Sequence, residues 1–163
     1  MKTRSRFSAF LLLFCLIPAA IAQTVTAHVV RVIDGDTIVV TIPGARTAVH
    51  VRFAEIDAPE HDQPWGAEAT AFTATQIGRG PVVLTITGID RYGRTIAHIQ
   101  TPDGSDLNTE LVRAGLAWWY RRYSNDSRLA ALQERARRTR RGAWADSAPI
   151  APWDWRHMET LHP

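Results

Sequence analysis

The chain has 163 residues, a formal net charge of +3 and one cysteine, Cys15. This length suits one domain built on one hydrophobic core. A single cysteine excludes a small scaffold held together by disulfides.

The N-terminus has the pattern of a secretory signal. Three basic residues precede an apolar run over residues 10–19, which is followed by small residues. This pattern predicts a signal peptide over 1–22 and a mature domain over 23–163. The run is shorter than a comfortable bilayer span, so an uncleaved anchor is the minor alternative. We therefore expect a periplasmic or secreted protein, free of cysteine and without stable membrane association after cleavage.

The positive charge of the chain belongs to this leader. Without its three basic residues, 16 arginines face 16 acidic residues, and half of those arginines fall between Arg121 and Arg141. Local asymmetry is then more informative than the total, because a basic face attracts nucleic acid. A solvated helix face is an equally good interpretation of the basic run over 135–141.

Runs of β-branched residues separated by turn residues predict five strands. The first two are joined by Asp34-Gly35-Asp36, which is typical of a tight hairpin turn. The alternation of apolar residues in the third strand places Arg52 on the face opposite Val51 and Phe53. The five predicted strands cover residues 24–33, 37–42, 48–54, 81–87 and 94–100.

Three helices are predicted over 64–77, 107–114 and 126–141, each followed by a glycine. Five strands with helices between and after them indicate an α+β, mainly β fold, a Greek-key barrel of the OB type. The segment 148–163 is expected to pack across this barrel as a tail.

Acidic residues and arginines recur at the predicted turns and strand ends. Asp34 and Asp36 lie in the first turn, Asp57 follows the third strand, Arg52 lies in that strand, and Arg94 begins the fifth. Carboxylate oxygens suit Ca²⁺ or Mg²⁺, and guanidinium groups match the geometry of phosphate. A lone Asp-Gly-Asp is more often an ordinary turn, but the additional carboxylate and arginines favour a site for a metal and a phosphate.

Four motifs carry a resemblance to a known family. The segments VIDGDT at 32–37, VRFAEIDAPE at 51–60, DRYGR at 90–94 and LVRAGLAW at 111–118 resemble the thermonuclease, or staphylococcal-nuclease-like, family. The motifs occur in the family's order and span essentially the whole mature chain.

The resemblance implies a calcium site. Asp36 and Asp57 match the family's calcium-binding aspartates, with the backbone carbonyl of Ala58 as a further ligand. Asp34 matches an acidic neighbour of the metal in a supporting position. Oxygen ligands favour Ca²⁺ over zinc, while Mg²⁺ is not separated from Ca²⁺ by sequence.

The resemblance also implies catalytic residues. Arg52 and Arg94 match the arginines that clamp the phosphate, and Glu60 matches the carboxylate that orients or deprotonates the attacking water. We expect orientation to matter at least as much as proton abstraction, because carboxylates are weak bases near neutral pH.

Three residues are predicted to contact the substrate: Arg91, Tyr92 and Tyr123. For Tyr123, packing in the core is an equally good interpretation. The loop from 60 to 64 is short, so the lid beside the site is expected to be reduced.

The family's activity is hydrolysis of DNA and RNA by in-line attack of water, leaving 3′-phosphate ends. We expect a monomeric nuclease of this kind, with DNA, RNA or both as its substrate. Two alternatives remain: an OB-type module that binds nucleic acid without cutting it, and a structural protein stabilised by calcium.

Overall fold

Five strands close into a barrel at the centre of the computed structural model, which describes residues 23–161. The predicted signal peptide, including Cys15, lies outside the described residues. In chain order the elements are β1 (Gln23–Asp34), β2 (Thr37–Thr41), β3 (Val49–Phe53), β4 (Ile56–Asp57), α1 (Gly66–Ile77), β5 (Val82–Ile89), β6 (Thr95–Gln100), α2 (Leu107–Ala114), β7 (Trp118–Trp119), α3 (Ser127–Arg138), a 3₁₀ turn (Gly142–Ala145) and α4 (Pro152–Leu161).

The barrel has the strand order β1, β2, β3, β6, β5. Neighbouring strands are antiparallel except β3 and β6, which run parallel with Arg52 opposite Ile96. Alternate residues point inward, so that Val51, Phe53, Leu84 and Ile99 fill the core. The predicted five-stranded, mainly β barrel is therefore confirmed.

Three features depart from the predicted elements. The helix expected over 126–141 ends at Arg138, and the tail contains a fourth α-helix, α4. Two-residue strands β4 and β7 form a separate small ladder in which Asp57 pairs with Trp118. Strands this short have no periodicity that a sequence pattern could detect.

Asn108 ties α2 to the end of β3. Its buried side-chain amide donates to the carbonyl of Ala54 over 2.9 Å, and its oxygen accepts the amide hydrogen of Ile99 over 3.0 Å. The chain leaving β3 towards β4 is thereby held at a defined position.

Helix α1 packs directly on the turn between β1 and β2. The Thr73 hydroxyl donates to the carbonyl of Gly35 over 2.6 Å. A β-carbon at Gly35 would lie 2.7 Å from that of Ala69 and 2.8 Å from that of Ala58. Only glycine allows this approach, which fixes the turn that carries Asp36.

None of the helices described within residues 23–161 has the length and apolar character needed to cross a bilayer.

Replacing Gly35 with alanine is expected to lower the free energy of unfolding by about 1–3 kcal/mol, because the added methyl overlaps two neighbouring β-carbons. Urea denaturation measures the change. Gly88→Ala is the matched control, since a β-carbon there has open space around it and is expected to leave stability nearly unchanged. Equal stabilities of the two variants would contradict the close packing of α1 on the turn.

Candidate active site

Two buried aspartates meet at one end of the barrel. Asp36 lies in the turn between β1 and β2, and Asp57 ends β4. Between β3 and β4 the chain reverses at Glu55, whose φ of 66° lies in the left-handed region. The Glu55 carbonyl accepts the amide hydrogen of Tyr120 over 2.8 Å, which secures the reversal. Asp57 is thus brought back beside the first turn.

Asp36 is held by contacts with three neighbours. The Ala58 amide donates to its carboxylate, the Thr37 hydroxyl donates over 3.2 Å, and Arg52 forms an ion pair with it over 2.8 Å. Burial raises the pKa of the Asp36 carboxyl well above its usual range, and the attraction of Arg52 opposes this rise. Burial therefore outweighs the attraction of Arg52 in its effect on the pKa of this carboxyl.

Arg52 bridges the two aspartates. Its Nη1 lies 2.8 Å from Asp36 and its Nη2 lies 2.5 Å from Asp57, while Nη1 also donates to the carbonyls of Phe53 and Ile56 over 3.1 Å. Burial acts to lower the pKa of this guanidinium, but the two carboxylates outweigh it and raise the pKa. One cation therefore holds together two carboxylates from different parts of the chain.

Glu60 lies in the short loop after β4 and contacts an arginine that the sequence did not reveal. Arg156 of α4 donates through Nη1 to Glu60 and through Nη2 to Asp57 over 2.7 Å. Burial acts to lower the pKa of Arg156, but these two carboxylates raise it. Arg156 thus joins the predicted metal ligand to the predicted catalytic carboxylate.

Arg94 lies just before β6 and is paired with Asp90. Its Nε donates to the Asp90 carboxylate over 2.7 Å, and its guanidinium lies 5.6 Å from the centre of the Tyr92 ring. Arg52 lies opposite Ile96 in the parallel pair β3 and β6, and Arg94 precedes Ile96 by two residues. The barrel therefore brings the chain segments of the two predicted phosphate-binding arginines together, although Arg94 pairs with Asp90 and not with the two buried aspartates.

The remaining predicted residues surround this centre. Asp34 accepts the backbone amide hydrogen of Asp36 over 3.0 Å and so lies beside the buried aspartate. Tyr92 is exposed and receives a hydrogen bond from Arg91 over 2.6 Å. Tyr123 is also exposed, in edge contact with Tyr120. The exposure of Tyr123 removes the interpretation that it packs in the core.

Asp36 and Asp57 supply part of the oxygen donor set that a hard metal ion needs. Within residues 23–161, no three histidine, cysteine, aspartate or glutamate residues form a group that is ready to hold one. Asp36 and Asp57 nevertheless offer buried oxygen ligands, and burial raises the pKa of the Asp36 carboxyl. Two carboxylates completed by water and a backbone carbonyl fit a hard divalent cation.

The fold and site define a class of protein: a small β-barrel that gathers carboxylates and arginines as phosphodiester-processing sites do. The family model described as "Staphylococcal nuclease homologue" matches residues 50–146. The chain belongs to this family.

Bacterial relatives match over most of their length. An "Uncharacterized endonuclease" of Escherichia coli is 41% identical over 91% of this chain and 96% of its own. An "Uncharacterized endonuclease" of Haemophilus influenzae is 36% identical over 95% of this chain and 86% of its own. A "Micrococcal nuclease" of Shigella flexneri is 40% identical over 79% of each chain.

Replacing Asp57 with asparagine is expected to lower the free energy of unfolding in chelator by about 2–4 kcal/mol, because Arg52 and Arg156 lose a buried anionic partner. Urea denaturation in excess chelator measures the change. Asp62→Asn removes an exposed carboxylate of the neighbouring loop and is expected to change stability little. A stability of Asp57→Asn equal to that of Asp62→Asn would refute the bridging role of Asp57.

Proposed function

We propose that the protein is an exported, calcium-dependent nuclease that hydrolyses DNA and RNA to products with 3′-phosphate ends. Membership of the staphylococcal nuclease family and relatives named as nucleases support a nuclease that hydrolyses phosphodiester bonds. The observation that carries the proposal is the cluster of Asp36 and Asp57 around Arg52.

Asp36 and Asp57 would hold the cation, together with the backbone carbonyl of Ala58. Calcium, when bound, supplies positive charge that neutralises the phosphate and reduces the electrostatic repulsion between the phosphate and the carboxylates. Magnesium has the same preference for oxygen ligands, so the assay must compare the two ions.

Arg52 and Arg94 would bind the non-bridging oxygens of the phosphate. The parallel pairing of β3 and β6 brings together the two chain segments that carry these arginines, which supports a single phosphate between them. Each hydrogen-bond donor directed at the negative charge that develops in the transition state raises kcat by about 10²-fold or more.

Glu60 would orient the attacking water. The water oxygen forms a bond to phosphorus, the bond from phosphorus to the 5′ oxygen breaks, and the departing oxygen takes up a proton. The proton released by the water passes to Glu60 or to solvent. Arg91, Tyr92 and Tyr123 would contact the nucleotides, since exposed aromatic rings beside arginine suit base stacking.

A cleavage assay on single-stranded and double-stranded DNA and on RNA tests the proposal. We expect cleavage in calcium, loss of cleavage in excess chelator, and a fall in kcat of about 10²-fold or more for Glu60→Gln and for Arg94→Ala. Product ends are read by their resistance to polymerase extension before phosphatase treatment.

His28→Gln is the control, because His28 is exposed on β1 away from the residues assigned here. Nucleic acid left intact in both calcium and magnesium would overturn the nuclease, and binding without cutting would favour the non-catalytic module. Cleavage that persists in chelator would overturn the metal dependence alone.

A further inference from the structure

Arg156 is the arginine of the site for which neither the motifs nor the proposed chemistry gives a role. It lies on α4, 99 residues after Asp57 and 96 after Glu60 along the chain. Its side chain is 41% exposed, so it reaches the carboxylates from the open side of the site. Arg52 reaches Asp57 from the barrel and is 14% exposed.

The geometry of Arg156 is that of a bridge. Nη2 lies 2.7 Å from Oδ2 of Asp57 and Nη1 lies 3.3 Å from Oδ1, while Nη1 also donates to Oε1 of Glu60. The planar fork fixes the direction of both carboxylates at once, which an ammonium group cannot do. The position of Glu60 relative to Asp57 thus depends on a residue of another element.

The loop that carries Glu60 is attached to the C-terminal segment at two further points. Gln63 donates to the carbonyl of Ile150 over 2.7 Å, and the Trp65 indole donates to Asp146 over 2.9 Å. Gln63 also accepts the backbone amide hydrogen of Glu60 over 3.1 Å. The C-terminal segment, residues 146–156, therefore fixes the position of the loop as well as the direction of the Glu60 side chain.

The charges allow Arg156 to stay in place when a cation is bound. If all are ionised, the carboxylates of Asp34, Asp36, Asp57 and Glu60 have four formal negative charges, whereas Arg52 and Arg156 supply two positive ones. The difference equals the charge of one divalent ion. A carboxylate oxygen has two lone pairs, so Asp57 can accept from a guanidinium and ligate a cation together.

We propose that Arg156 is a positioning residue of the active site, which holds Glu60 against Asp57 and thereby sets the place of the attacking water. This proposal rests on the proposed nuclease function. Because its charge also lies beside the cation ligands, Arg156 opposes cation binding while supporting the hydrolytic step. The two effects have opposite signs, and a purely structural residue would not produce that combination.

The test compares Arg156→Gln with Arg156→Lys, using calorimetric titration with calcium and steady-state kinetics on a DNA oligonucleotide at saturating calcium. For Arg156→Gln we expect the calcium Kd to fall about tenfold, because a positive charge near the ligands is removed. We expect kcat to fall about tenfold or more with KM little changed, because the carboxylate of Glu60 loses its orientation. Arg156→Lys keeps the positive charge, so the calcium Kd is expected to stay near that of the unmodified protein. Because lysine lacks the planar guanidinium group, kcat is expected to recover only in part.

Arg128→Gln is the control for net charge, since Arg128 is an exposed arginine of α3 whose ion pair is with Asp126. It is expected to change neither the Kd nor kcat. Thermal unfolding in chelator confirms that each variant is folded.

Three results would overturn the proposal. An unchanged or higher kcat for Arg156→Gln would mean that Arg156 does not position Glu60, and a higher value would identify α4 as an inhibitory strap. A lower kcat with unchanged or weaker calcium binding would mean that Arg156 does not bridge to Asp57 in the loaded protein. If the unmodified protein cleaves nothing, the nuclease function fails, whereas the calorimetric comparison still decides whether Arg156 lies on the cation ligands.

Discussion

The ion pairs of Arg52 with Asp36 and Asp57 are the constraint on which the site depends. Two carboxylates with almost no exposure are unstable side by side unless a cation lies between them. The surrounding fold keeps both in place: α1 presses on the first turn through Gly35, and the reversal at Glu55 returns the chain to it. The strained and closely packed backbone of this region thus lies where like charges are gathered.

Much of this arrangement could be predicted from the sequence because it is local. Turn residues and alternation locate the hairpin that carries Asp36, and strand parity places Arg52 on the outer face of β3. The strand predictions for the barrel agree with the structure to within a few residues. The ordered motifs then indicated which carboxylates and arginines belong together, and the structure brings Asp36, Asp57 and Arg52 into contact.

The features that were not predicted depend on contacts between distant parts of the chain. Pro152 and Asp154 are compatible with the start of a helix, but nothing in the tail shows where that helix docks. The link from Arg156 to Glu60 joins residues 96 apart, and the strands β4 and β7 exist only because Asp57 meets Trp118. A motif identifies the residues of a site. Which arginine pairs with which carboxylate depends on the tertiary structure.

The pairing of Arg52 has a consequence for the order of binding. In the structure, the N–H groups of this guanidinium contact Asp36, Asp57 and two backbone carbonyls. Few of its N–H groups are therefore left to bind a phosphate. A divalent cation on the carboxylates would weaken their hold on Arg52 and free donors for the phosphate. A phosphate that drew Arg52 away would in turn leave the carboxylates short of positive charge. Such coupling is reciprocal by thermodynamic necessity, so cation and substrate would each strengthen the binding of the other. Arg156, which also donates to Asp57, would keep that carboxylate oriented throughout this exchange.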